Sequence, residues 1–259
     1  MKSVAGAGVV LTGAGSGIGA ALARRFASEG ARVVVNDLNA DGAAAVAASC
    51  GGTAAPGDAA TEEGLAGLIK TATDALGEID MFCANAGVAR GEGDGATEAD
   101  WAASWQVNVM AHVRAARLLL PGWLERGSGH LICTVSAAGL LTMLGSAPYS
   151  ATKHAALSFA EWLSASYAHR GITVQALCPM GVRTPMLAGT SPAAEIILGQ
   201  TAITPEAVAG TVVEAIGDGR FLILPHPDVA RMYAGRAADP DRWLVGMSKI
   251  QQSLEEDPA

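Results

Sequence analysis

Tyr149 and Lys153 stand four residues apart in Tyr149-Ser150-Ala151-Thr152-Lys153, and Ser136 lies thirteen residues before Tyr149. Residues 149–169 carry good helix formers with no Pro or Gly, so the stretch reads as a helix. Positions four apart on a helix share a face, which brings phenol and ammonium together. A free tyrosine ionises near pH 10, so making its phenolate at pH 7 costs about 4 kcal/mol. A nearby cation favours the phenolate and removes much of that cost. Such a pair can pass a proton to or from an alcohol or carbonyl oxygen. By itself the spacing is weak, because any helix can carry Tyr and Lys four apart on its surface.

The elements that must position this pair begin at Val9-Val10-Leu11, a short apolar run ending in Thr12-Gly13-Ala14-Gly15-Ser16-Gly17-Ile18-Gly19. Ile18, Leu22 and Phe26 then recur at helical spacing, giving strand, glycine turn and helix. Glycine lets a backbone approach a pyrophosphate, and the free N–H groups of a new helix bind it. The turn has three readings. Gly13, Gly15 and Gly17 fit the G-x-G-x-G of adenosylmethionine-dependent methyltransferases; Gly15, Gly17 and Ala20 fit a dinucleotide turn; Thr12, Gly13, Gly17 and Gly19 fit T-G-x-x-x-G-x-G.

Strands and helices keep alternating downstream. Residues 32–35 read as the second strand, 40–49 as a helix, 52–55 as a strand and 61–76 as a helix capped by Thr61. Residues 79–84 follow as a strand, 97–120 as one long helix ended by Pro121, and 130–135 as a strand. After the Tyr149 helix come a strand at 173–177, a helix at 205–216 and a last strand at 221–224. This alternation predicts an α/β fold, a doubly wound parallel sheet of Rossmann type in a single domain over residues 1–259. A helical tail starts at about 226, where Asp239-Pro240 reads as a cap and first turn. Trp243, Leu244, Met247, Ile250 and Leu254 form its apolar stripe.

Composition narrows the function classes. A net charge of −8 argues against nucleic acid or an anionic membrane as partner. No segment reads as a membrane span or a signal peptide, and a cytoplasmic protein is expected. Cys50, Cys83, Cys133 and Cys178 are too scattered for a metal site and read as reduced thiols. The five histidines, His112, His130, His154, His169 and His226, show no ligand spacing and read as surface or packing residues. No metal is expected.

With these elements placed, the chain resembles the short-chain dehydrogenase/reductase family, in its shorter size group, from about Val9 to Leu224. The carrying motifs are the Thr12–Gly19 turn, Asp37 at the end of the second strand, Asp58, Asn85-Ala86-Gly87, Asn108 in Val107-Asn108-Val109, Ser136, and Tyr149 with Lys153. The resemblance implies a catalytic tetrad of Asn108, Ser136, Tyr149 and Lys153. Tyr149 is the acid/base, Ser136 holds the substrate oxygen, and Lys153 lowers the Tyr149 pKa and binds the nicotinamide ribose. Asn108 anchors a water. It also implies NAD contacts from Gly13, Ser16, Gly17, Ile18, Gly19, Asp37, Leu38, Asp58, Ala59, Asn85, Ala86, Gly87, Pro179, Val182 and Thr184, besides Tyr149 and Lys153. Asp37 should repel a 2′-phosphate by a few kcal/mol, roughly, which favours NAD over NADP.

One motif departs from the family pattern. Where P-G-x-V-x-T is usual, this chain has Pro179-Met180-Gly181-Val182-Arg183-Thr184, and Met180 should narrow the cleft. With Ser136 and Tyr149, the residues Leu144, Met180 and Met186 are the expected substrate contacts, and they imply an apolar secondary alcohol or ketone. A non-catalytic NAD-binding scaffold and an adenosylmethionine-dependent methyltransferase remain as rivals. Turnover of any alcohol eliminates the first; the second leaves Ser136, Tyr149 and Lys153 unexplained. Relatives associate through the two long helices, so a homotetramer, or at least a dimer, is expected. The tail is expected to close over a substrate cleft.

Overall fold

The computed structural model describes residues 2–188 and 198–256. Seven parallel strands form one sheet among the described residues: β1 (Gly8–Leu11), β2 (Arg32–Val35), β3 (Thr53–Ala54), β4 (Met81–Ala84), β5 (Gly129–Thr134), β6 (Ile172–Leu177) and β7 (Leu222–Ile223). Their order is β3-β2-β1-β4-β5-β6-β7, with Val10 beside Val34 on one side and Phe82 on the other. Every residue of β1 and β4 is buried, as an apolar strand sandwiched between helix layers must be.

Helices α1 (Gly17–Ser28), α2 (Ala40–Cys50) and α8 (Pro205–Asp218) cover one face through Leu22, Phe26, Val46, Val212 and Ile216. Helices α3 (Glu62–Leu76), α4 (Glu98–Trp105), α5 (Ala111–Arg126) and α6 (Ala147–Tyr167) lie on the other. There Leu65, Leu119, Trp123, Leu131 and Leu163 form the packed layer. Successive strands are added leftward from β1 to β3 and rightward from β4 to β7, so the strand order reverses between β1 and β4 and a crevice opens at the carboxyl ends of those strands. A short α7 (Pro185–Ala188) follows β6, and α9 (Asp228–Ala238) and α10 (Pro240–Glu256) follow β7.

Side-chain caps set several helix starts, the one at Thr61 as expected. Thr61 Oγ1 accepts from the Gly64 N–H at 3.0 Å, Thr97 and Asp100 form a reciprocal capping box, and Thr204 caps α8.

One expectation needs correction. The stretch read as one helix over 97–120 is interrupted by a wider π-helical turn at Gln106–Met110, and it does not stop at Pro121. Pro121 lies inside α5, where a proline costs about 3 kcal/mol. The following turn supplies anchors that offset this: Trp123 is buried with its Nε1–H donating to Ile79 O at 2.7 Å, and Arg126 donates to the same carbonyl at 2.6 Å. Gly127, at φ 69°, then closes the helix in the left-handed conformation. The tail is helical from Asp228 and holds two helices. The first, α9, carries a weak stripe of Val229, Met232 and Tyr233 ahead of the stripe that follows Asp239.

Candidate active site

The floor of the crevice is a set of crossed hydrogen bonds between strand ends. Thr12 Oγ1 accepts from the N–H groups of Asn85 at 3.0 Å and Ala86 at 3.1 Å. Asn85 Nδ2 donates to the carbonyls of Thr12 and Gly13, both at 3.0 Å, and its Oδ1 accepts from the Thr134 hydroxyl at 3.1 Å. The ends of β1, β4 and β5 are thereby locked in register. Gly13 has φ 59°, and a Cβ there would meet Ala86 Cα at 2.7 Å. A Cβ on Gly19 would lie 2.4 Å from Gly13 O, so this tight turn admits glycine only. The first N–H groups of α1 face the crevice without a side-chain cap, the arrangement an anionic pyrophosphate needs.

Asp37 ends β2 beside that turn. Its Oδ2 accepts from the Gly15 N–H at 2.8 Å and its Oδ1 from the Asn39 N–H at 2.9 Å. The carboxylate is thus fixed against the glycine turn, with Leu38 projecting 77% exposed next to it. Asp58 is held by the Ala60 N–H at 2.9 Å.

Asn108 sits in the π-helical turn, fully buried. Its Nδ2 donates to Val88 O at 2.9 Å and to Thr152 Oγ1 at 3.0 Å, while its Oδ1 accepts from the Val88 N–H at 2.9 Å. The side chain is spent on holding the segment after Asn85-Ala86-Gly87 against α6. Lys153, also buried, donates from Nζ to Thr134 O at 2.9 Å, and Nζ lies 5.5 Å from the centroid of the Tyr149 ring. Burial pushes the Lys153 pKa down to about 8. Ser136 adopts φ 152° and ψ 158°, a region L-residues avoid at a cost of about 1–3 kcal/mol. Its Oγ accepts from the Ala138 N–H at 3.1 Å.

The expectation that Lys153 draws the Tyr149 pKa down is not met in the chain by itself. Burial raises it, and the opposing influence is a hydrogen bond with Ser136. Desolvation of the phenolate outweighs that bond.

These groups face one cavity of about 1050 Å³. Gly13, Ser16, Gly17, Ile18, Asp37, Leu38, Asp58, Ala59, Asn85, Ala86 and Gly87 line one half. Ser136, Leu144, Tyr149, Lys153, Pro179, Met180, Val182, Thr184 and Met186 line the other. Of the expected catalytic, cofactor and substrate residues, Gly19 and Asn108 lie outside the lining, buried behind it as supports.

The family model described as short chain dehydrogenase matches residues 7–195. This chain belongs to the short chain dehydrogenase family. It is an oxidoreductase working between an alcohol and a carbonyl. The chain is 41% identical over 228 residues to 1-deoxy-11-beta-hydroxypentalenate dehydrogenase of Streptomyces exfoliatus, covering 85% of this chain and 82% of that one. Over 239 residues it is 32% identical to human epidermal retinol dehydrogenase 2, covering 86% and 75%. A Burkholderia phymatum short chain dehydrogenase/reductase solved in complex with NAD superposes with a TM-score of 0.85 at 29% identity, covering 93% and 96%.

Within this family member, the tail and a histidine complete the substrate half. Met232, Trp243, Met247 and Ile250, from α9 and α10, line the cavity, so the tail walls its own chain's cleft. Leu244 points outward at 60% exposure, although the spacing put it on the same stripe. His226, read as a packing residue, is buried beneath Met180: its Nδ1 accepts from the Met180 N–H at 3.2 Å and its Nε2 faces Gly181 O at 3.1 Å. Only its place between Pro225 and Pro227, directly after β7, could have signalled this.

His112 is buried on α5 with neither ring nitrogen hydrogen-bonded among the described residues. Burial, with the Lys153 ammonium as a lesser cause, pushes its pKa from 6.5 down to about 3. Between those values the unfolded chain holds a proton that the folded chain does not, so stability falls as pH drops through that window. His112→Leu should flatten this slope by up to about 1.4 kcal/mol per pH unit, leaving the similar contribution of His130. Urea titrations at several pH values between about 4 and 7 measure it; an unchanged slope contradicts the assignment.

Proposed function

We propose that this protein is an NAD-dependent dehydrogenase that interconverts an apolar secondary alcohol and its ketone. The observation that carries this reading is the convergence of Ser136, Tyr149 and Lys153 on one wall of a cavity whose other wall is the glycine turn and Asp37. Bound NAD supplies the hydride acceptor, or as NADH the donor. The turn from Gly13 to Gly19 and the N-terminus of α1 would hold its pyrophosphate. Asp37 would take the adenosine ribose hydroxyls, with Leu38, Asp58 and Ala59 around the adenine. Asn85, Ala86, Gly87, Pro179, Val182 and Thr184 would surround the nicotinamide half. The NAD complex of the Burkholderia relative supports the choice of cofactor.

Tyr149 gives a proton to the carbonyl oxygen in reduction and takes it back in oxidation. Ser136 donates a hydrogen bond to the same oxygen, and its strained backbone aims Oγ toward Tyr149. Lys153 needs a second partner besides Thr134 O, which the nicotinamide ribose provides. Asn108 keeps α6 and the Val88 segment in place and, through its backbone, holds the water that links Lys153 to solvent. Leu144, Met180, Met186, Met232 and Trp243 select an apolar substrate body. A screen of alcohols and ketones of graded size, followed at the nicotinamide absorbance, tests the reading; no turnover of any apolar secondary alcohol or ketone overturns it.

We further propose that residues 1–259 act as one cytoplasmic domain with its helical tail from about 226, and that it assembles as a homotetramer, or at least a dimer. Four free cysteines and the absence of any described helix able to cross a membrane support the compartment. Trp105 and Trp162, on α4 and α6, are 43% and 55% exposed, with Trp101 and Leu118 nearby in sequence at 36% and 37%. An apolar surface of this kind marks a protein contact. Light scattering at micromolar concentration should return a multiple of 26.1 kDa, and a monomer mass contradicts the assembly.

A further inference from the structure

We propose that Arg236 is a positioning residue that couples closure of the tail over the substrate to the placement of Ser136. Arg236 projects from α9, and its Nη1 donates to the carbonyls of Leu140 and Leu141, the latter at 3.1 Å, and to His154 Nε2 at 2.9 Å. His154 Nδ1 lies 2.9 Å from Ser150 O, so that nitrogen carries the proton and Nε2 is left to accept. One guanidinium therefore ties three pieces of the site together. They are the tail, the loop after Ser136, and α6 one residue past Lys153.

The loop end of this contact leads directly to the serine. Leu140 and Leu141 both donate their N–H groups to Ala137 O, at 3.0 and 2.8 Å, closing a tight turn over Ala137–Gly139. Ser136 begins that turn: its carbonyl accepts from the Gly139 N–H at 3.0 Å and its Oγ from the Ala138 N–H at 3.1 Å. Ser136 is also the one non-glycine residue with positive φ among the described residues. A backbone held in a costly conformation persists only while its surroundings over-determine it. Arg236 supplies that constraint at the far end of the turn. The tail end of the contact leads to the substrate, since Met232 and Gly235 on α9 and Trp243, Met247 and Ile250 on α10 line the cavity. Helix α10 itself has no buried residue, and the buried Trp243 Nε1–H has no hydrogen-bond partner among the described residues, so its seat is lightly held. Filling the substrate half gives the tail further apolar contact, and Arg236 transmits the seating of the tail to Ser136.

This inference rests on the dehydrogenase reading but is separable from it. Arg236→Met keeps the length and removes every donor. It should lower kcat by about tenfold or more for a substrate that still saturates, with NADH affinity unchanged. Arg236→Lys, whose ammonium has three donors, should recover most of the loss. Truncation after Asp239 keeps Arg236 but removes the α10 wall that seats α9 on the substrate, and should raise KM for bulky apolar substrates and also lower kcat, by less than Arg236→Met does. A lid without coupling would give the same KM effect in both variants and leave kcat alone in both, and that result overturns the proposal. So does a fall in NADH affinity parallel to kcat in Arg236→Met. Hydrogen exchange on the cofactor-free protein reads the contact without substrate. Arg236→Met should speed exchange of the amides of Gly139 to Leu141 but not those of α1; equal rates overturn the coupling even if no alcohol is ever turned over.

Discussion

Tyr149→Phe will lower turnover by about 10²–10⁴-fold, the usual contribution of a general acid–base group, and leave NADH affinity nearly unchanged. The substitution keeps the ring, and with it the packing at the start of α6, and deletes only the oxygen that exchanges the proton. Lys153 stays anchored on Thr134 O, so the cofactor half of the cavity keeps its shape. A variant retaining more than about a tenth of wild-type kcat would remove Tyr149 from the acid–base role. The pH profile adds a sign. Burial raises the Tyr149 pKa, so the phenol is protonated at neutral pH and ready to serve reduction. Oxidation needs the phenolate and should gain rate toward alkaline pH. Lys153, pushed down to about 8, loses its charge in that same range and sets the upper limit of the gain.

The cofactor half of this site was legible in the sequence because its chemistry is carried by backbone. A turn that admits only glycine at Gly13 and Gly19 must be written with glycine, and Thr12 and Asn85 are needed to lock strand ends that periodicity alone already places. The tetrad was legible for a related reason: Tyr149 and Lys153 share one helix, so a spacing of four residues fixes their relation. Asn108 was named, but the π-helical turn that buries it leaves no mark in hydrophobic spacing. Pro121 misled because a local rule about proline was overridden by the anchors of Trp123 and Arg126: both reach Ile79 O, more than forty residues away in the chain, where no local signal can show them. The substrate half was least legible. His226 and Arg236 act on backbone atoms of Met180, Gly181, Leu140 and Leu141, and a contact between a side chain and a distant carbonyl has no sequence pattern.

Exchanging Asp37→Ala together with Leu38→Arg will move cofactor preference from NAD toward NADP. Removing the carboxylate removes a charge that repels a 2′-phosphate by a few kcal/mol, roughly, near a surface. A guanidinium at position 38 offers paired donors to that phosphate, and Leu38 is exposed enough to be replaced without loss of packing. The ratio of kcat/KM for NAD over NADP should fall by about 10²-fold or more, since each 1.4 kcal/mol is tenfold. The structure adds a cost to this exchange that the sequence did not show. Asp37 also accepts from the N–H groups of Gly15 and Asn39, so Asp37→Ala frees two donors and loosens the glycine turn. Absolute kcat/KM should therefore drop with both cofactors even as their ratio inverts. Asp37→Asn separates the two effects: its amide oxygen keeps one acceptor for the turn while the charge is gone. If Asp37→Asn shifts the ratio and the Asp37→Ala pair shifts it further, repulsion and recognition both act at the ribose. An unchanged ratio in both would place the adenosine ribose away from Asp37.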